Sequence, residues 1–430
     1  MSELRPASAS THVGRWSLLA VCYALAMAGY PIWAGVAGFI GQDENRLVTI
    51  VYRVVVALLS LWVFMQSRSR RMPSGDVLVF AAMVFWAAYL ARIAVDGYVR
   101  HLNLPVPAYE MLVSSVLLAI VPALVGLIYP TDREMVQARN LIAAAILIAL
   151  ILVWLDSRTA MVQSEYLSRG RLAIGKLNPI GVGKIAGSLF LVALSVLYGG
   201  QRPRTPGAWL VWLTAGLLGL AFMLMSASKG PILSVLAALA VFALLPFKPG
   251  RVATMALVVA AVVVVSLLAN EAIDRYLGFN FLDRFVLAFV YTDYDMSSVE
   301  RIVAFNGAWE QFLRNPFWGD AIIESTTSYY PHNSILESLM ATGVLGTLPF
   351  LVVTTASLIA AWKLIAWHSG LEWLGLLTIQ YFLDTLTTGA HWGNAQVWLL
   401  TAAVISVAVS RRPVPASGPN GFVPGFATSH

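Results

Sequence analysis

Residues 208–226 read AWLVWLTAGLLGLAFMLMS, nineteen positions without one Asp, Glu, Lys or Arg. At about 1.5 Å per residue such a helix rises about 29 Å, enough to cross the hydrocarbon of a bilayer. Arg202 and Arg204 stand just before it and Lys229 just after. Blocks of the same kind recur at 16–40, 47–65, 77–95, 108–129, 139–155, 179–199, 231–246, 252–270, 334–361, 371–390 and 394–410. They lack the two-residue alternation of a membrane barrel. The expected fold is an all-α integral membrane protein of about twelve transmembrane helices. Residues 1–410 form one polytopic domain.

Composition points the same way. Of 430 residues, 59% are hydrophobic and 12% charged, about half the charged fraction of an ordinary soluble chain. The net charge of +6 is explained by topology. With the amino terminus inside, each cytoplasmic connection carries bases: Arg5 and Arg15, Arg68 to Arg71, Arg133 and Arg139, Arg202 and Arg204, Lys248 and Arg251, Lys363, and Arg411 with Arg412. A soluble basic patch interleaved with aromatics is absent, so no nucleic-acid partner is expected. The single cysteine, Cys22, falls inside the first span and offers neither a disulfide nor a cysteine-based metal centre. The Pro- and Gly-containing stretch 411–430 is expected to be a disordered cytoplasmic tail.

The opposite face is unexpectedly basic. Arg158, Arg169, Arg171, Lys176 and Lys184 lie around the fifth connection, Lys229 in a short turn, and Arg275, Arg284, Arg301 and Arg314 between spans nine and ten. Three helices that start on this face carry start signals. Asn178-Pro179 and Gly230-Pro231 set proline in the first turn, and Ser334-Ile-Leu-Glu337 has the spacing of a capping box. Helix amino termini beside Lys and Arg make an anion site, with phosphate or diphosphate as the natural guest.

Residues 271–333 form a structured outer loop. Ser297-Ser-Val-Glu300 reads as another capping box, followed by Ile302, Phe305, Trp309, Phe312 and Leu313 at helical spacing and by a stop at Asn315-Pro316. A short amphipathic helix is expected, lying at the membrane surface or capping a cavity. His332 follows at the junction with span ten, where a helix amino terminus favours the neutral imidazole that can accept a proton from a hydroxyl. Asp293 and Asp295 are the close outer carboxylate pair and are read as a solvated turn, so no metal and no cofactor are expected.

Intramembrane charge supplies further candidates. Arg53 is read as snorkelling to the interface, and Arg92 as either snorkelling or holding an anion. Asp384 is expected to pair with one of them or with a loop base, and His391 to be an interface residue beside Trp392, second to His332 as a base.

His332-Asn333, nine residues, then Gly343-Val-Leu-Gly346 resembles the bacterial O-antigen ligase and O-antigen polymerase superfamily, where histidine and an amide or serine precede a helix bearing two glycines. Ser298 to Arg301, Arg314-Asn315-Pro316-Phe317-Trp318-Gly319, and Arg171 through Asn178-Pro179 look like further parts of that pattern, which spans roughly residues 165–350. Ser228-Lys229-Gly230 departs from it, since the family's turn usually reads Ser-Arg-Gly, and Ile180 stands where the family often has a second asparagine.

The resemblance implies a metal-independent glycosyltransferase in the bacterial inner membrane, with its active site facing the periplasm. It would move a glycan from undecaprenyl diphosphate to a sugar hydroxyl, on lipid A core or on a growing glycan, among membrane lipids. His332 would be the catalytic base. Arg171, Lys176, Lys229, Arg301, Asn333 and Arg92 complete the candidate set for diphosphate or substrate. Ligation and repeat-unit polymerisation share the motif. A transporter of a lipid-linked or anionic solute is the competing class, although the chain shows no internal repeat of the inverted type.

Overall fold

The computed structural model describes residues 16–39, 46–73, 76–159, 177–245 and 296–411, with isolated positions between 253 and 290. Among the described residues the chain is helical and has no strand beyond two isolated bridges. We number the helices α1 (Leu18–Ala24, a π-helical turn Leu25–Gly29, then Tyr30–Phe39), α2 (Arg46–Gln66), α3 (Val77–Ala94, extended by a π-helical turn Val95–Val99) and α4 (Ala108–Ser114, a π-helical turn Ser115–Ile120, then Val121–Gly126). Then follow α5 (Asp132–Thr159), α6 (Pro179–Tyr198), α7 (Pro206–Met225), α8 (Lys229–Leu244), α9 (Met296–Arg314), α10 (Ser334–Ala366), α11 (Glu372–Asp384) and α12 (Ala395–Ser410).

Among the described residues, seven helical stretches are long and apolar enough to cross a membrane, and three shorter ones are apolar. Each block read as a span coincides with a helix except 252–270, of which only isolated positions are described; the tail beyond Arg411 lies outside the described residues. The block at 371–390 is shorter as a helix, ending at Asp384.

Burial separates the centre from the rim. Helix α6 is buried almost end to end, and α11 and α12 are nearly so. Small residues allow the close approach: a Cβ on Gly219 of α7 would meet Ala186 O at 2.7 Å, and one on Gly187 of α6 would meet Val235 at 2.6 Å. With lipid outside, helices gain from such tight contact rather than from hiding apolar surface. Leu58, Phe80, Leu210, Val211, Leu217 and Leu348 are exposed, as lipid-facing side chains of a bundle should be.

The helix ends sort into two faces. On one, Arg70 pairs with Glu134, Arg411 with Asp132, and Gly200 N donates to Glu372 Oε1 at 2.8 Å. On the other, Asp96 accepts from Ile322 N at 2.6 Å, Lys229 Nζ donates to Ser298 Oγ at 2.8 Å, and Ser334 N donates to Thr385 O at 2.8 Å. This second face carries His332.

Candidate active site

Helix α10 is what positions His332. Its cap is Asn333, whose side-chain oxygen accepts from Ile335 N and Leu336 N at 3.1 Å each, while its amide donates to Leu386 O at 3.2 Å. The expected Ser334 to Glu337 box does not form, because the helix starts one residue earlier and Glu337 points into the bundle. There its carboxylate bonds the Tyr89 hydroxyl and accepts from His391 N. Asn333 is thus spent on the backbone.

A break in α10 anchors the loop before His332. Gly343 sits at φ 59°, ψ −162°, and interrupts the helix. The freed backbone groups bond the segment that follows α9: Val344 N donates to Pro316 O at 2.8 Å and Asp320 N to Met340 O at 2.7 Å. Gly319, at φ 74°, crosses the kink so closely that a Cβ on Gly343 would lie 2.6 Å from Gly319 N. The two glycines are a matched pair for backbone passing backbone. Arg92 completes the joint, donating to Ala341 O (2.8 Å), Asp320 O (3.0 Å), Trp318 O (2.8 Å) and Gly319 O (3.0 Å). Asp96, fully buried, lies 3.6 Å from it. With its donors on carbonyls, Arg92 is a clamp in this structure rather than an anion ligand or a snorkelling residue.

Helix α9 packs in a way the sequence stripe does not suggest. It begins at Met296, so Ser297 lies inside the first turn rather than at a cap. Its buried positions are Ala304, Gly307, Ala308 and Gln311, while Ile302, Trp309 and Leu313 are exposed. Small residues win this face because the 320–327 loop passes over it. Gln311 accepts from Ser325 N at 2.8 Å and donates to Ile323 O at 3.2 Å. Glu324 is buried against Gly307 and accepts from Thr326 N, Thr327 N and Thr327 Oγ1 at 2.6 to 2.8 Å. Burial alone would raise its carboxyl, but these bonds outweigh it and hold the group below the usual carboxylate range. The turn so fixed closes through Glu324 N to Tyr329 O at 2.7 Å and presents Tyr329, Tyr330 and His332.

His332 itself adopts a left-handed backbone, φ 55°, which histidine visits more readily than most residues. Tyr330 meets its ring edge-on at 4.6 Å and Tyr329 lies at 5.7 Å. Its Nδ1 is buried without a hydrogen-bond partner. Burial, and then the positive charge of Arg301, push the imidazole down to about 4. At neutral pH it is therefore an uncharged base.

Lys229 and Arg301 stand on this face, with Ser298 joining α9 to the Lys229 turn. Helix α8 starts at Lys229 itself, so Gly230-Pro231 falls within its first turn, and Ser228 at the cap position makes no side-chain cap bond. Ala227 before it takes φ 45°. Asn178 does cap α6 as read, accepting from Gly181 N at 2.9 Å. Arg171, Lys176, Asp293 and Asp295 lie outside the described residues. Asp384 is fully buried and bonds Ser234 Oγ at 3.1 Å, with Lys184 of α6 as its charged neighbour rather than Arg53 or Arg92. His391 is buried within the bundle. It is boxed by Phe85, Tyr89, Phe350 and Trp398 and fastened to Ser338 Oγ and Ser334 O at 2.8 and 2.9 Å.

Sequence reading passed over the residues that hold this site. Gln311 and Glu324 are single polar residues with no periodicity to mark them. Only the run Glu324-Ser-Thr-Thr327, an acid ahead of turn-forming hydroxyls, was a local signal.

A comparison with curated proteins finds no match to the chain. Residues 214–351, from mid-α7 through the Lys229 turn, α9, His332 and the Gly343 kink, match the family model described as O-antigen ligase. That match, over about a third of the chain, supports membership of the O-antigen ligase and polymerase superfamily and a role as a membrane enzyme of surface polysaccharide biosynthesis.

Proposed function

We propose that the protein is a glycosyltransferase with about twelve membrane crossings and with the His332 face toward the periplasm of a bacterial inner membrane. Its donor is a glycan on undecaprenyl diphosphate and its acceptor a sugar hydroxyl, lipid A core in the ligase reading and a growing glycan in the polymerase reading. The observation that carries it is His332: neutral, buried at Nδ1, and within the field of Arg301, with Lys229 bonded to Ser298 one turn before Arg301 on the same helix.

The chemistry asks little more. The acceptor hydroxyl forms a bond to the anomeric carbon, its proton passes to His332, and the bond from that carbon to the diphosphate oxygen breaks. Lys229 and Arg301, with Arg171 and Lys176 as further candidates, bind the departing diphosphate; their charge counts most in the transition state. Asn333 and Arg92 act by position, one fixing the start of α10 and the other its joint with the loop.

Two experiments test this reading. In a reconstituted assay His332→Ala should lower transfer by about a hundredfold or more with the lipid-linked donor still bound; unimpaired transfer sinks the mechanism. In cells, deletion of the gene should leave full-length polymer on the carrier if the enzyme is a ligase and single repeat units if it is a polymerase. No change in either counts against the assignment.

A further inference from the structure

A cavity of about 410 Å³ lies between α1, α2, α4, the start of α6 and the α11–α12 connection. Asn178, Tyr330, Trp392 and Asn394 line it toward the His332 face, Arg53 and Tyr30 lie deeper, and Val56 and Pro122 add apolar wall. The transfer chemistry above uses none of this space. Tyr330 connects the two, because it lines the cavity and touches the His332 ring at 4.6 Å.

Arg53, read from the sequence as reaching for the interface, belongs to the cavity wall. Its guanidinium makes one long hydrogen bond, to Ser114 Oγ at 3.4 Å, and among the described residues no carboxylate pairs with it. A cation at this depth is costly unless something anionic or polar meets it. Three donors in the same wall, Arg53 Nε, Trp392 Nε1 and Asn394 Nδ2, are buried without a partner, and Asn394 is itself only 7% exposed. Buried donors left unmet are destabilising and uncommon, and here three belong to residues that line one cavity. Two of the π-helical turns reach the cavity, Ala26 from α1 and Leu117 with Leu118 from α4. Such turns interrupt a helix at a local energetic cost and cluster at functional sites. Tyr52 steadies the first by donating to Leu25 O at 2.5 Å.

We propose that this cavity binds an acidic sugar unit of the acceptor saccharide, with its carboxylate or phosphate oxygens against Arg53 and the wall donors and its ring against Trp392. The assignment to the acceptor rests on the transfer reading above. An aromatic face with several donors and one cation suits an anionic sugar. Lys229 and Arg301 are left to the donor's diphosphate, so the two substrates meet at His332 from different sides. The same anionic chemistry is offered by the headgroup of a membrane phospholipid, and the test separates the two.

The full-length protein in phosphatidylcholine nanodiscs is titrated with a glucuronate-terminated oligosaccharide and with its glucose-terminated counterpart. The acidic sugar should bind about tenfold more tightly. Arg53→Gln should abolish that preference, Arg53→Lys should keep part of it, and His332→Ala should leave it intact. Equal affinity for the two sugars, or a preference that survives Arg53→Gln, overturns the proposal. Should Arg53→Gln fail to fold, Asn394→Ala serves: weaker binding of both sugars by several-fold supports the site, and unchanged binding overturns it. Repeating the titration with phosphatidylglycerol in the discs decides the source of the anion. An unchanged preference supports the sugar, whereas displacement of the sugar by the lipid overturns the acceptor assignment. Binding is measured without donor, so normal transfer by His332→Ala would remove the mechanism and leave the sugar result standing.

Discussion

A histidine that serves as a base must be uncharged when the acceptor arrives, and His332 is kept so chiefly by burial and secondly by Arg301. The sign of the pH dependence follows. An ordinary histidine would lose basicity as pH falls through about 6.5, whereas His332 keeps it until about 4. The acid limb of kcat/KM should therefore fall near pH 4 in a reconstituted assay. In Arg301→Gln the limb should move up, but not to the ordinary histidine value, because burial is the larger cause and remains. A limb near 6.5 in the parent enzyme, or one indifferent to Arg301, would disconnect His332 from proton transfer. Lys229 gives a second residue-level expectation. Its ammonium holds Ser298 at 2.8 Å, so Lys229→Met should raise the donor KM by about tenfold, while Lys229→Arg, which restores the family's usual Ser-Arg-Gly, should retain activity.

Between elements, the decisive contact is the crossing of the Pro316 to Asp320 segment over the kink in α10. Gly343 at φ 59° leaves no room for a Cβ beside Gly319 N. Gly343→Ala should cost about 3 kcal/mol or more from the strained backbone and the displaced segment together, read as a lower melting temperature in detergent and loss of transfer. Gly346→Ala tests a different setting, since a Cβ there would meet Thr342 Oγ1 at 2.2 Å on a helical backbone; it should destabilise through that clash alone, without the strain of a positive φ. The sequence showed both glycines but not what they were for, since a close approach between residues 319 and 343 has no local signature. The same holds for α9. Its apolar stripe was legible from spacing, yet the side turned inward was decided by the small residues and by Gln311 meeting a loop that follows it. Caps were legible where proline fixed the first turn, at Asn178-Pro179, and were misread at Ser334, where Asn333 competed for the same role and Glu337 had a buried partner in Tyr89.

At the scale of the molecule, each block long enough to span a membrane that falls within the described residues became a helix, because length and apolarity act locally and need no knowledge of neighbours. The candidate site was legible only in its titratable side chain and its cations. The cavity beside it draws on six distant stretches of chain and could not be read from any one of them. The orientation of the whole bundle is the reading that now most needs a direct measurement, since the substrate, the carrier and the acceptor all depend on which face His332 occupies. Cys22 is buried and is the single native thiol, so a Cys22→Ala background gives a clean start for thiol labelling. Ser325→Cys, on the exposed loop of the His332 face, should react with a membrane-impermeant maleimide in cells whose outer membrane has been opened. Arg204→Cys, exposed on the opposite face, should react only after the inner membrane is permeabilised. The reverse pattern would put His332 on the cytoplasmic side and would overturn the periplasmic transfer reading together with the topology. Labelling of both sites in sealed cells would mean that the chain does not hold one orientation.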